Sequence, residues 1–309
     1  MLSLLLVSSA LLFDPTSTPV QVVTQPAPMH GTLLTPAGSS RAAALIIPGS
    51  GPTDRDGNSQ LAVSASTYRL LAEGLASQGI ASVRYDKRGV AESAAATVAE
   101  DQLTFDVSVA DAELWLDETL ARTGLSCAWL VGHSEGALIA LKAAEGGDSR
   151  ICGLVLLSGA GRKAGVVLRE QLAAGLPPPL LEAAEAALTD LEAGRTTEAT
   201  PQLGALFRPS VQPYMISWLN LDPAALAAEY QGPMMIGHGS TDLQTTTVDA
   251  EALHTAQPAS QLTLWEGVNH VLKVAPADRA ANVAAYADPD LPLADGVVDD
   301  IAAFILQPR

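Results

Sequence analysis

Residues 131–137 read "VGHSEGA", which sets Ser134 between Gly132 and Gly136. In a chain with 25 glycines a Gly-x-Ser-x-Gly match is commonplace, so its neighbours decide what it means. Just before it, "CAWLVGH" (127–133) has the length and apolar content of a buried strand, and "GALIALKAAEGG" (136–147) just after it is helix-forming. Strand, tight turn and helix form the context in which the pattern carries chemistry. Small residues at 132 and 136 let the backbone bend sharply, the serine hydroxyl is pushed out over the sheet edge, and the positive end of the helix points at it.

The same alternation extends in both directions. Short apolar runs rich in Val, Ile and Leu occur at 43–49, 80–86, 127–133, 151–159, 233–239 and 261–267. Helical patterns lie between them at 67–79, 101–122 and 247–257, and a last one closes the chain at 295–307. Continuous apolar strands separated by helices predict an α/β fold with a mostly parallel sheet covered on both faces. Residues 163–224 break this rhythm. They are rich in Ala, Leu and Glu, carry Pro177 to Pro179, and show helical periodicity without a strand. We read 163–224 as an inserted helical cap, with 20–162 and 225–309 forming the core. Open α/β sheets bind ligands at the carboxyl ends of their strands, so the cap is expected over a pocket there; a helical elaboration with no part in binding is the plainer alternative.

A serine hydroxyl is a weak nucleophile without an adjacent base. Of the five histidines, His270 in "WEGVNHVLK" (265–273) follows the last strand candidate and lies at the sheet edge where Ser134 is expected. His133 flanks the serine but faces the other way, His30 precedes the core strands, and His254 falls in a helical pattern. The base in turn needs a carboxylate to fix its tautomer. Asp242, three residues past the strand candidate ending at Gly239, is the assigned acid; its ordinary role would be a turn or helix cap, and Asp249 is the substitute. Two backbone N–H groups are needed for a developing oxyanion. The amide of Glu135 follows the nucleophile directly, and the glycine-bearing loop "IIPGSGPTDRDGN" (46–58) offers Ser50.

Bulk properties bound the partners. A chain of 309 residues, 48% hydrophobic, can bury a large core. Its formal charge of -17, with no cluster of Lys and Arg, excludes nucleic acid and anionic membrane surfaces as natural partners and reads as a solubilising surface. "MLSLLLVSSALLF" (1–13) is too short to span a bilayer comfortably and is followed by a polar, proline-bearing stretch, so 1–19 reads as a signal peptide or a disordered N-terminus. Export to the periplasm or the medium is the expectation. A mispositioned start or an amphipathic anchor is the alternative and leaves a cytoplasmic protein open. Cys127 and Cys152 each begin a strand candidate and could meet across neighbouring strands; two buried free thiols are the favoured reading. No His-Glu-x-x-His motif, metal-site spacing or strand-coupled phosphate loop is present, so neither metal nor cofactor is expected.

With these residues assembled, the chain resembles the α/β-hydrolase superfamily. It is most similar to the bacterial group of esterases and serine-aminopeptidase-like hydrolases. The resemblance rests on Gly49 to Asn58, Arg84 to Val90, Gly132 to Gly136, Phe207 to Tyr214, Asp222-Pro223 and Asn269 to Lys273, in that order. Ala91 and Ala137 stand where the group commonly has glycine, and Thr245 where it has an apolar residue. The resemblance implies an α/β-hydrolase fold with a helical cap and a Ser134–Asp242–His270 triad with Ser50 and Glu135 as oxyanion donors. It also implies hydrolysis of small-molecule carboxylic esters through an acyl-enzyme. An aminopeptidase or amidase on the same triad is the rival, and a non-catalytic binding protein on this fold the more distant one. In the "RYDKRG" segment, Asp86 and Arg88 are expected to pair and brace loops near the site. Acyl chain length, alcohol preference and oligomeric state are left open.

Overall fold

Runs rich in β-branched and aliphatic residues can bury both faces of a strand, and five of the six expected here do so side by side, the sixth being half-exposed at the sheet edge. The computed structural model describes residues 14–198 and 200–308. Its strands are β1 (Thr16–Val22), β2 (Met29–Thr35), β3 (Ala42–Ile47), β4 (Ile80–Tyr85), β5 (Ala128–His133), β6 (Ile151–Leu157), β7 (Met234–Gly239) and β8 (Gln261–Trp265). They form one sheet in the order β1-β2-β4-β3-β5-β6-β7-β8. β3 to β8 are parallel, and β1 and β2 are antiparallel additions at one edge.

The helices are α1 (Thr67–Ser77), α2 (Phe105–Thr123), α3 (Glu135–Ala143), α4 (Ala164–Gly175), α5 (Pro178–Glu192), α6 (Gly204–Phe207), α7 (Gln212–Leu219), α8 (Pro223–Glu229), α9 (Thr247–Ala256), α10 (Arg279–Ala284) and α11 (Val297–Ile305). Alternate side chains of each strand enter opposite layers. Ala43, Leu45 and Ile47 of β3 join Phe105 and Trp115 of α2 and Ile139 of α3. Ala44 and Ile46 join Leu71 and Leu75 of α1 and Ile301 and Phe304 of α11. Each fully buried aliphatic side chain in these layers contributes roughly 1.5–3 kcal/mol. Among the described residues no helix is long and apolar enough to cross a membrane.

Three expectations change. β1 and β2 are not among the strand candidates, because both mix polar with apolar residues, β1 being largely exposed and carrying Pro19, and β2 including His30, Gly31 and Thr32. Thr16 to Pro19, read as part of a leader, instead pair with Thr32 to Thr35. The rest of that leader, 1–13, lies outside the described residues. Cys127 and Cys152 are not free thiols but a disulfide with Cα atoms 5.2 Å apart, since β5 and β6 are hydrogen-bonded neighbours.

The stretch 163–224 is helical, as its periodicity predicts. Its apolar faces turn toward one another: Ala184, Leu188, Leu191, Phe207, Met215 and Leu219 form a separate buried cluster. Arg208 and Ser210 grip Glu100, and Ser217 Oγ accepts the N–H of Phe105, so the insertion is moored to the start of α2.

Candidate active site

The backbone at Ser134 is bent as the glycine spacing requires. Its φ of 55° and ψ of -120° lie outside the regions L-residues favour, and its N–H is held by Leu157 O at 2.8 Å. A Cβ on Gly132 would lie 2.2 Å from Gly136 O, and one on Gly136 would lie 2.2 Å from Ile47 O. Only glycine fits at either position. The turn thus presses the start of α3 against the end of β3, and a Cβ on Gly49 would come within 3.1 Å of Ser134 Cβ.

Asp242 and His270 arrive from the next strands and meet. His270 Nδ1 donates to Asp242 Oδ2 at 2.7 Å, in a site where both residues are buried. Asp242 Oδ1 accepts the N–H groups of Gln244 and Thr245 at 2.8 and 3.2 Å. The Thr245 hydroxyl lies 3.2 Å from Oδ2, so this departure from the apolar residue of the resembled group adds a contact to the acid. Burial opposes the charge on Asp242, but the His270 imidazole, His238 and the Gln244 N–H outweigh it and hold the carboxyl down at about 2. The His270 loop is shaped by Asn269, whose Oδ1 accepts the N–H groups of Val271 and Lys273 at 3.2 and 3.1 Å. Lys273 Nζ reaches Asp288 O at 2.5 Å.

Asp249 is not available as a substitute acid. It receives Arg162 through two nitrogens at 2.9 and 3.0 Å and also accepts the N–H groups of Gly161 and Thr246. His133 is committed as well. Its Nε2–H donates to His270 O at 2.7 Å and its Nδ1 accepts the Tyr68 hydroxyl at 2.9 Å. Burial, reinforced by the nearby His270, pushes its pKa down to about 3 and keeps it neutral. Tyr68 also accepts the Gly49 N–H at 2.9 Å, linking α1 to the loop after β3. Neither of these roles was legible beforehand, because a tyrosine on the apolar face of a helix reads as core.

The 46–58 loop is braced from the "RYDKRG" segment, though not by the pair expected. Asp86 binds Arg55 at 2.5 Å through its guanidinium and at 2.8 Å through its N–H, whereas Arg88 forms a two-bond pair with Asp111 of α2. Asp86 and Arg88 therefore serve different elements. Arg84 holds Asp56 at 2.9 Å. Ala91 adopts a φ of 44°, which accounts for the glycine common there in the resembled group. Among the described residues, the N–H groups of Ser50 and Glu135 donate to no atom of the chain.

Ser134, His270, Ser50 and Tyr68 line one cavity of about 130 Å³, walled further by Thr53, Leu61, Val63, Gln244, Val271 and Tyr286. None of its lining residues is Asp or Glu, and none comes from 163–224. The helical insertion touches this region through Gln171 Nε2, which donates to Gln244 O at 2.8 Å. A larger crevice of about 570 Å³ lies between residues 141–151 and 226–232, at the opposite ends of the strands from Ser134.

Esterase EstD of Thermotoga maritima is 29% identical over 225 residues, covering 72% of this chain and 52% of that protein. The chain thus spans about half the length of the curated relative it matches. Among solved structures, Est1E of Butyrivibrio proteoclasticus superposes with a TM-score of 0.58 at 15% identity, over 94% of this chain and 99% of its own. The esterase domain of a Rhodothermus marinus protein does so with a TM-score of 0.56 at 15% identity, over 94% and 97%. At such identities these structures speak for the fold, an α/β-hydrolase fold. The family model of serine aminopeptidase, S33, matches residues 61–274, a span that includes Ser134, Asp242 and His270 but not Ser50. The chain belongs to the serine aminopeptidase, S33, family of α/β-hydrolases.

Proposed function

We propose that the protein is a serine hydrolase that cleaves small carboxylic esters through an acyl-enzyme. The observation that carries this reading is the 2.7 Å bond from His270, which lines the same cavity as Ser134, to the buried Asp242. Asp242 holds the imidazole with its proton on Nδ1, leaving Nε2 free to take the Ser134 proton as the hydroxyl attacks the ester carbonyl. The carbonyl oxygen becomes negative and is received by the N–H groups of Ser50 and Glu135, neither of which donates to another of the described residues. The imidazolium returns its proton to the departing alcohol. His270 then activates a water, which releases the acid and restores Ser134.

Two observations favour esters over peptides despite the family's name. An aminopeptidase must bind a free ammonium group, and among the described residues no carboxylate lines this cavity. The cavity's 130 Å³ is close to the roughly 150 Å³ that holds a benzene-sized molecule, room for a short acyl group. The relative named as an esterase, EstD, supports the same reading. The disulfide between Cys127 and Cys152 supports export, since such a bond does not persist in a reducing cytosol. The test compares p-nitrophenyl acetate and butyrate with aminoacyl p-nitroanilides on the purified chain. Turnover of the esters alone, abolished in Ser134→Ala, is expected; turnover of the anilides alone overturns the ester assignment.

A further inference from the structure

The segment "RYDKRG" ends β4 with four charged residues. Three of them are spent on other carboxylates or guanidinium groups: Arg84 on Asp56, Asp86 on Arg55, and Arg88 on Asp111. Lys87 goes elsewhere. Its Nζ donates to Gly49 O at 3.0 Å and to Glu135 Oε1 at 3.3 Å, with the Glu135 side chain 5% exposed and that of Lys87 20%.

The position of these two acceptors gives the contact its meaning. Gly49 C=O belongs to the same peptide unit as the Ser50 N–H, and in a planar trans peptide the two point in opposite directions. Holding the carbonyl toward Lys87 therefore aims the Ser50 N–H away from it. Glu135 carries the other unused N–H beside Ser134, and its carboxylate anchors the same ammonium. One cation thus ties the Gly49–Ser50 peptide, after β3, to the side chain of Glu135, the first residue of α3 after β5. Gly49 is further pinned by its own N–H on the Tyr68 hydroxyl.

The device has a reason. A loop of small residues, with Gly51 at a φ of 77°, is free to rotate its peptide units, and a rotated 49–50 peptide would present a carbonyl where a donor is needed. Rotation would also break a charge-assisted hydrogen bond, which is roughly twice as strong as a neutral one. An ammonium on the carbonyl further polarises the peptide and strengthens its N–H as a donor.

We propose that Lys87 is a positioning residue for the oxyanion site, holding the Ser50 and Glu135 amides aimed at one point. The proposal rests on the serine-hydrolase reading above. The test uses Lys87→Met, Lys87→Arg and Glu135→Gln in the full chain, with p-nitrophenyl butyrate kinetics and inhibition by a trifluoromethyl ketone, which forms an oxyanion adduct on the serine. Lys87→Met is expected to lower kcat about 30-fold with KM within about twofold, and to weaken the ketone in the same proportion, since losing a whole oxyanion donor costs about 100- to 1,000-fold. Lys87→Arg should recover most of the loss. Glu135→Gln should show a smaller loss of the same kind, and it decides the matter if Lys87→Met does not fold. An unchanged kcat in Lys87→Met, or in Glu135→Gln where that variant decides, overturns the proposal. A fall in kcat with unchanged ketone affinity overturns it too. A wild type that turns over no ester defeats the hydrolase reading, and this proposal with it; an active wild type, silenced in Ser134→Ala but unaffected in Lys87→Met, defeats this proposal alone.

Discussion

Asp242 is a carboxylate surrounded by donors on a buried edge: two backbone N–H groups on one oxygen, the Thr245 hydroxyl and His270 on the other. Its carboxyl is held at about 2 instead of the ordinary 3.8, so the native state favours the charged form more than the unfolded chain does. A group with a depressed native pKa contributes stability that is complete above its unfolded value and is lost as pH falls through the native one. Stability is therefore expected to drop by on the order of 2 kcal/mol from this residue between about pH 4 and pH 2. Urea unfolding over that range should show a steeper loss in the wild type than in Asp242→Asn; equal slopes would contradict the assignment. The gathering of Ser134, Asp242 and His270 at one sheet edge was legible because each follows an apolar strand run; their proposed roles rest on that placement. Lys87 and Tyr68 were not. A lysine in a charged run reads as surface and a tyrosine on a helix as packing, and only the folded sheet brings both to Gly49.

The turn between β5 and α3 shows what the glycine spacing accomplishes. Gly132 and Gly136 allow two backbones to touch, and the strain that remains falls on Ser134, at a cost of roughly 1–3 kcal/mol for such a conformation. Glycine adopts that conformation freely. Ser134→Gly is therefore expected to be more stable to urea than Ser134→Ala by about 1 kcal/mol, although both lose the hydroxyl. An alanine variant as stable as the glycine one would contradict a strained turn. β3 to β7 were readable because parallel strands buried on both faces are largely apolar, and β8, half-exposed at the sheet edge, still carries Leu262, Leu264 and Trp265. β1 and β2 were not, because an antiparallel edge with one wet face looks like ordinary polar sequence. Nor could composition decide the cysteines: their pairing follows from β5 lying beside β6, a fact of topology.

Across the molecule, the sheet brings the ends of β3, β5, β7 and β8 to one edge, and the loops that leave them build the cavity. The expectation that 163–224 roofs this cavity differs from what is seen, since the walls come from the loop after β3 and from Gln244, Val271 and Tyr286. Periodicity reveals that a helix has an apolar face but not what that face meets; here it meets the neighbouring helices and forms a cluster of its own. Selectivity is accordingly sought in the loops at 53–63 and around 286 instead of in the helical insertion. All of this turns on Ser134 being the residue that takes the acyl group. Treating the protein with a fluorophosphonate and mapping the adduct by peptide mass spectrometry tests that directly. A single adduct on Ser134, absent after Ser134→Ala and slowed in His270→Ala, is the predicted result; no labelling of the wild type, or labelling that persists in Ser134→Ala, would contradict it.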